Sequence, residues 1–113
     1  MNLKVEEKYN AVVLELKGKL MGGPFMQEMN ETLHTLLDED KKNVVVDMGG
    51  VTLVTSSGIG ILISGYTTMT NGGGNLKIAH TSDKVKGLLS ITKLDSIFEH
   101  YTTVEEALKS YEE

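Results

Sequence analysis

The chain has 113 residues, of which 40% are hydrophobic, and this is enough to form the core of one ordinary domain. It contains no cysteine, which excludes disulfides, thiolate metal sites and a cysteine nucleophile. The net charge is −5, and the absence of a basic stripe argues against nucleic acid as a partner.

The N-terminal sequence and the apolar segments bear on location in the cell. Residues 1–7 lack the basic flank, apolar stretch and cleavage site of a signal peptide. The apolar stretches, such as residues 59–63, are far shorter than the roughly 20 residues needed to cross a bilayer. We therefore expect a cytoplasmic protein of one domain, residues 1–113, with no membrane partner.

The first elements in the chain are predicted to be a hairpin, a helix and a central strand. Leu3–Glu6 alternates between apolar and charged residues, and Ala11–Leu16 is rich in β-branched residues, so both are predicted strands. From Pro24, just after Gly22 and Gly23, apolar residues recur every three or four positions, which predicts a helix. Val44–Val46 is apolar at successive positions, as in a strand that is covered on both faces.

The second half of the chain continues the alternation of helices and strands. Helical spacing over residues 59–69 precedes the glycine-rich turn at residues 71–75, and a short strand follows. A short helix opened by Ser82 or Asp83 comes next, then a final strand at Ile97–Phe98 and a closing helix capped near Thr102 or Thr103. This order predicts an α/β domain with a mostly parallel sheet, in which the first strand is antiparallel.

The segment between the central strand and the next helix carries the candidate site. The strand is predicted to end near Asp47, the next helix is predicted to begin at Thr55 or Ser56, and Ser56 is its predicted N-cap. An exposed helix N-terminus carries unpaired N–H groups and about half a positive charge, which favour an anion. A phosphate on Ser56 would suit this field and would add about −1.5 to −2 charge, enough to switch a protein contact.

A purely structural role competes with this interpretation, because most serines in such a position only cap the helix. Two features favour a functional role for Ser56. No Glu or Gln stands at Ile59 to complete a capping box, and Gly58 and Gly60 each lower helix propensity by about 1 kcal/mol. These glycines would also allow another backbone or side chain to come close.

The stretch Thr55-Ser56-Ser57-Gly58-Ile59-Gly60 resembles the signature of the STAS domain, a module shared by bacterial anti-sigma factor antagonists and the cytoplasmic tails of sulfate transporters. Further stretches resemble the second strand, the glycine turn, the entry to the last strand and the last helix of this family, in the order Leu14–Leu20, Gly72–Leu76, Ile91–Phe98 and Thr103–Leu108. The resemblance implies a single STAS-like domain with about five strands and about four helices.

In the antagonists of this family the usual motif is Asp-Ser-Ser/Thr/Ala-Gly-Leu/Ile-Gly, and an anti-sigma factor that is also a serine kinase phosphorylates the first serine. The resemblance implies that this residue is Ser56, with Ser57 and Thr55 as alternative acceptors. The chain would then be the substrate of the kinase and of a serine phosphatase, not an enzyme, and it would use no cofactor or metal. The implied partner-binding residues are Met21, Gly22, Thr55, Ser56, Ser57, Gly58 and Gly60.

Two departures from the family pattern favour a second hypothesis. Thr55 stands where the family has Asp, and Met21 stands where it has another acid. A STAS scaffold or sensor that binds a protein or a small ligand without phosphorylation would fit these changes. Met26 and Met48 could join Met21 in an adaptable binding surface.

Two further signals are weak. Gly58-Ile59-Gly60 could begin a dinucleotide fingerprint, but Ile63 occupies the third glycine position. The histidines are dispersed and lack the carboxylate pairing of a metal or nucleophile site, so we expect His34, His80 and His100 at the surface or at sheet edges. The lack of a base, a metal set or a phosphate loop argues against an enzyme.

Overall fold

The computed structural model of the protein describes residues 1–91, 93 and 96–112. Strands and helices alternate along most of this part of the chain. In chain order they are β1 (Asn2–Glu7), β2 (Val12–Leu20), α1 (Pro24–Asp38), β3 (Asn43–Val54), α2 (Ser56–Asn71), β4 (Asn75–Ala79), α3 (Asp83–Ile91), β5 (His100–Tyr101) and α4 (Val104–Ser110).

The strands form one sheet in the order β1-β2-β3-β4-β5. β1 is antiparallel to β2, and every other neighbouring pair is parallel. The predicted α/β fold with an antiparallel first strand is therefore confirmed. In the hairpin turn, the Lys8 N–H donates a hydrogen bond to the Ala11 carbonyl at 2.8 Å, and the Tyr9 side chain is fully exposed.

The hydrophobic core lies on both faces of the sheet. On one face, α1, α2 and α3 cover a cluster that includes the fully buried Leu14, Val46 and Leu62. On the other face, Ala107 of α4 packs against Val45 and its neighbours. Burying each such aliphatic side chain contributes roughly 1.5–3 kcal/mol, and the two covered faces explain why β3 is apolar at successive positions.

β3 is longer than the sequence predicts, because it continues to Val54 instead of ending near Asp47. β4 pairs with β3 only as far as Asp47, whereas β2 stays paired with it to Val54. The β2–β3 register shifts twice within Glu15–Lys19, as at β-bulges. Residues 47–50 read as a loop in the sequence, but bulges accommodate them within the strand.

The last strand is His100–Tyr101, and the prediction of a strand at Ile97–Phe98 is wrong. His100 is aligned with Ile78 of β4. Phe98 is buried, and its ring meets that of Tyr66 edge-on at a centroid distance of 5.5 Å. Its apolar character therefore serves packing and not strand pairing. The predicted entry to the last strand also includes residues 92, 94 and 95, which lie outside the described residues.

The helix caps agree with the predictions for the two C-terminal helices. The Ser82 hydroxyl accepts a hydrogen bond from the Val85 N–H at 3.2 Å at the start of α3. The Thr103 hydroxyl accepts one from the Glu106 N–H at 3.1 Å at the start of α4. Such caps satisfy N–H groups that the first helical turn leaves without partners.

Candidate functional site

The candidate site forms where β2 and β3 end side by side. Leu20, the last residue of β2, lies opposite Val54, the last residue of β3. The Leu20 carbonyl accepts a hydrogen bond from the Thr55 N–H at 3.1 Å. A side-chain carbon placed on Gly58 would lie only 2.0 Å from this carbonyl oxygen. The predicted close approach at Gly58 is confirmed, because only glycine allows the first turn of α2 to pack here.

The two glycines of the motif differ in their surroundings. Gly58 is buried, so it sets the position of the helix turn and contributes little to the surface. Gly60 is partly exposed, and a side-chain carbon placed on it would have no neighbour within 4 Å. The structure therefore gives a packing reason for glycine at position 58 and none at position 60.

Thr55, and not Ser56, is the N-cap of α2. Its backbone is extended, and its hydroxyl accepts a hydrogen bond from the Gly58 N–H at 3.1 Å. Its carbonyl accepts a hydrogen bond from the Ile59 N–H at 2.9 Å. The prediction was wrong by one residue, because β3 runs as far as Val54 and leaves position 55 as the extended residue before the helix.

The three candidate hydroxyls are consequently not equivalent. The Thr55 hydroxyl is engaged in the cap, and its side chain is only partly exposed. Ser56, the first residue of α2, and Ser57 are both exposed. A side-chain carbon placed on Gly22 would lie 3.0 Å from Cβ of Ser57, so the loop between β2 and α1 flanks Ser57. Thr55 is the least available of the three to a modifying enzyme.

The loop between β2 and α1 borders the site. Gly22 and Gly23 have φ angles of 94° and 70°, which favour glycine. Met21 is 50% exposed, and Met26, in the crevice between α1 and α2, is also partly exposed. Met48 is buried in the core and does not extend this surface, contrary to the expectation from the sequence.

The first turn of α2 contains no acidic residue. The positive end of the helix dipole, about half a unit charge, is therefore not neutralised by side chains of that turn. An anion attached to Ser56 would gain about 0.3–1 kcal/mol from this field at an exposed position. The arrangement is suited to carrying a covalently bound phosphate.

Sequence reasoning missed a carboxylate–histidine pair at the end of β4. His80 Nδ1 lies 2.9 Å from Asp47 Oδ1, and the same oxygen accepts a hydrogen bond from the Gly49 N–H at 2.9 Å. The expectation that His80 has no carboxylate partner is therefore wrong. The strand register brings the two residues together, because Asp47 of β3 is aligned with Ala79, the residue before His80.

The described residues contain no group of three or more His, Asp or Glu side chains arranged to hold a metal ion. Within the same part of the chain, no helix combines the length and the apolar character needed to span a membrane.

The fold matches those of known proteins. The chain superposes on an anti-sigma factor antagonist from Mycobacterium paratuberculosis with a TM-score of 0.81 at 18% sequence identity, covering 99% of this chain and 94% of that one. It superposes on the Bacillus cell fate determinant SpoIIAA in its phosphorylated form with a TM-score of 0.72 at 16% identity, covering 96% and 98%. It superposes on a sulfate transporter family protein from Wolinella succinogenes with a TM-score of 0.71 at 18% identity, covering 88% of this chain and 83% of that one.

At these identities the superpositions show a shared fold. Membership rests on the sequence itself, because the family model for the STAS domain matches residues 2–107. This match includes β1 to β5, the motif around Ser56 and most of α4. The chain therefore belongs to the STAS domain family.

Proposed function

We propose that this protein is a cytoplasmic anti-sigma factor antagonist that changes partners through phosphorylation of Ser56. The unmodified form binds an anti-sigma factor, which is also the serine kinase that modifies it. The phosphorylated form is released until a serine phosphatase removes the phosphate. The observation that carries the proposal is the position of Ser56, which is exposed as the first residue of α2 within the STAS motif.

The physical basis of the switch is a large change of charge on an uncharged surface. Thr55 and Ser57 flank Ser56 in the chain, Gly22 lies against Ser57 and follows the half-exposed Met21, and the first turn of α2 has no carboxylate. A phosphate adds about −1.5 to −2 charge there. Burying this charge against an apolar or acidic partner costs several kcal/mol, which weakens binding by more than about a hundredfold.

The test is the intact mass, with site mapping, of the chain recovered from its native cell during growth and under stress. We expect a phosphate-sized mass on Ser56 whose occupancy changes with conditions. Ser56→Ala should abolish it, and the matched variant Ser57→Ala should retain it. Loss of the phosphate in Ser57→Ala alone would assign the site to Ser57, and its absence from the wild-type chain in every condition would overturn the switch.

A second candidate function is a STAS scaffold or sensor that is not phosphorylated. The observation that favours it is Thr55 at the N-cap and Met21 in the adjoining loop, where the family pattern has acids. Neither residue brings a carboxylate to Ser56.

Thr55→Asp separates the two functions. Aspartate is also a good N-cap, so the variant should match or exceed wild-type stability, whereas Thr55→Ala should lose about 1 kcal/mol. For the switch we expect Thr55→Asp to be phosphorylated on Ser56 faster than the wild-type chain. A scaffold would carry no phosphate in either form. An unchanged rate would mean that the departure at position 55 has no consequence for the kinase.

A further inference from the structure

The outer edge of β1 is not covered by another strand in the described part of the chain. β1 is the terminal strand of the sheet. At the hairpin turn the Lys8 N–H points inward to the Ala11 carbonyl, and the direction of backbone groups alternates along a strand. Leu3, Val5 and Glu7 therefore direct their N–H and C=O groups outward, where another strand could pair with them.

The side chains of β1 divide between the two faces of the sheet. Lys4 and Glu6 lie on the face that α4 covers, since Glu6 is aligned with Val13. Val5 lies on the opposite face and is 46% exposed beside α1. Glu6 pairs with Lys8 at 2.8 Å, whereas Lys4 has no carboxylate within 4.0 Å among the described residues. The edge thus presents a cation without a close ion pair, an anion and an exposed valine.

We propose that β1 pairs with β1 of a second copy of this chain in an antiparallel arrangement, across a two-fold axis at Val5. Val5 then faces Val5 of the second copy, and Leu3 faces Glu7, so the outward backbone groups pair. Lys4 faces Glu6 of the second copy, and Glu6 faces its Lys4. Side chains directly opposite each other in a sheet have Cβ atoms about 4.5–5.5 Å apart, close enough for both ion pairs.

The charges disfavour the two registers nearest to this one. A two-fold axis at Lys4 or at Glu6 would also align outward groups with outward groups. The first would place Lys4 against Lys4, and the second Glu6 against Glu6, and like charges directly opposite each other destabilise a sheet. Charges on an edge strand commonly prevent pairing. Here they exclude the neighbouring registers and favour the one centred on Val5.

Carboxylates of α1 limit the affinity of this dimer. Glu28 and Glu31 of α1 flank the groove beside Val5, and a two-fold axis normal to the sheet brings both copies of α1 to the same face. Their repulsion opposes association, so we expect a weak dimer. Ser56 follows β3, which is two strands in from this edge, so the proposed contact between copies of β1 does not include Ser56.

The test is sedimentation equilibrium of the full chain at concentrations up to about 1 mM. We expect the mean mass to rise toward twice that of the chain. Lys4→Glu and Glu6→Lys should each weaken the dimer about tenfold, because each substitution places like charges opposite each other in both of the symmetry-related pairs. The double variant Lys4→Glu/Glu6→Lys should recover most of the lost affinity. Lys86→Glu, the same charge change on the exposed face of α3, should have no effect.

Thermal unfolding of every variant checks the fold. If a charge reversal unfolds the chain, Lys4→Gln and Glu6→Gln remove the same pairs without adding a like charge, and each should weaken the dimer about threefold. A chain that remains monomeric at every concentration overturns the proposal. A dimer that is indifferent to these substitutions, or that the double variant does not restore, also overturns it.

Discussion

Gly58 and Gly60 occupy the same motif, but only Gly58 meets another part of the chain. Gly58→Ala would push a methyl group into the Leu20 carbonyl and separate α2 from the end of β2. We expect it to lower the free energy of unfolding by roughly 3 kcal/mol. Gly60→Ala is the matched control, and it should raise the free energy of unfolding by about 0.5–1 kcal/mol, since alanine favours the helix.

Denaturant unfolding of the two variants measures both values. Equal changes in the free energy of unfolding for the two variants would contradict the close approach at Gly58. The sequence predicted a close approach at both glycines but could not show which of them makes it, because the contact is with a carbonyl of β2. Thr55 and Ser56 were equally hard to rank as caps, since the choice depends on where β3 ends.

The Asp47–His80 pair illustrates the same limit for side chains. The two residues are 33 positions apart and come together because β3 and β4 are aligned. The Gly49 N–H donates to the same carboxylate oxygen, so the pair connects the bulged part of β3 to the end of β4. Such a contact can be inferred only after the strand register is known.

At the scale of elements, α4 is held to the sheet by Tyr111 and Lys77. The Tyr111 hydroxyl donates a hydrogen bond to the Val44 carbonyl at 2.7 Å, and the Lys77 ammonium lies 4.1 Å from the centre of the Tyr111 ring. Lys77 also donates to the Ser110 hydroxyl at 2.7 Å. Burial raises the pKa of Tyr111 well above its ordinary value of 10.0, because the charged phenolate is poorly solvated.

The raised pKa of Tyr111 predicts how stability depends on pH. Folding favours the protonated phenol, so its stabilising contribution is complete below pH 10 and is lost as the pH rises above 10. Tyr111→Phe should cost about 1 kcal/mol at neutral pH through the lost hydrogen bond. The stability of this variant should also fall less steeply above pH 10 than that of the wild-type chain.

Thermal unfolding between about pH 8 and pH 11 tests this prediction. The difference between wild type and Tyr111→Phe should shrink as the pH rises. Tyr9→Phe, at a fully exposed position, should follow the wild-type curve. A difference that stays constant up to pH 11 would show that ionisation of Tyr111 does not affect folding.

For the whole molecule, hydrophobic periodicity predicted the kinds of elements and the parallel sheet. It worked because the apolar stripes of α1 and α2 and the continuous valines of β3 are direct consequences of which faces are buried. It failed at the end of β3 and at β5. Gly49 and Gly50 suggested a loop, but pairing with β2 continues β3 through them. Phe98 suggested a strand, but β4 pairs with the residues that follow it.

The turn between β1 and β2 projects from the end of the sheet opposite to Ser56. β2 begins beside this turn and ends at Leu20, against the start of α2. Tyr9 in the turn is fully exposed, and the chain has no cysteine. Tyr9→Cys would therefore introduce a unique thiol for a fluorophore or for attachment to a sensor chip. A chain immobilised through this residue would present Ser56 to dissolved proteins without obstruction by the support.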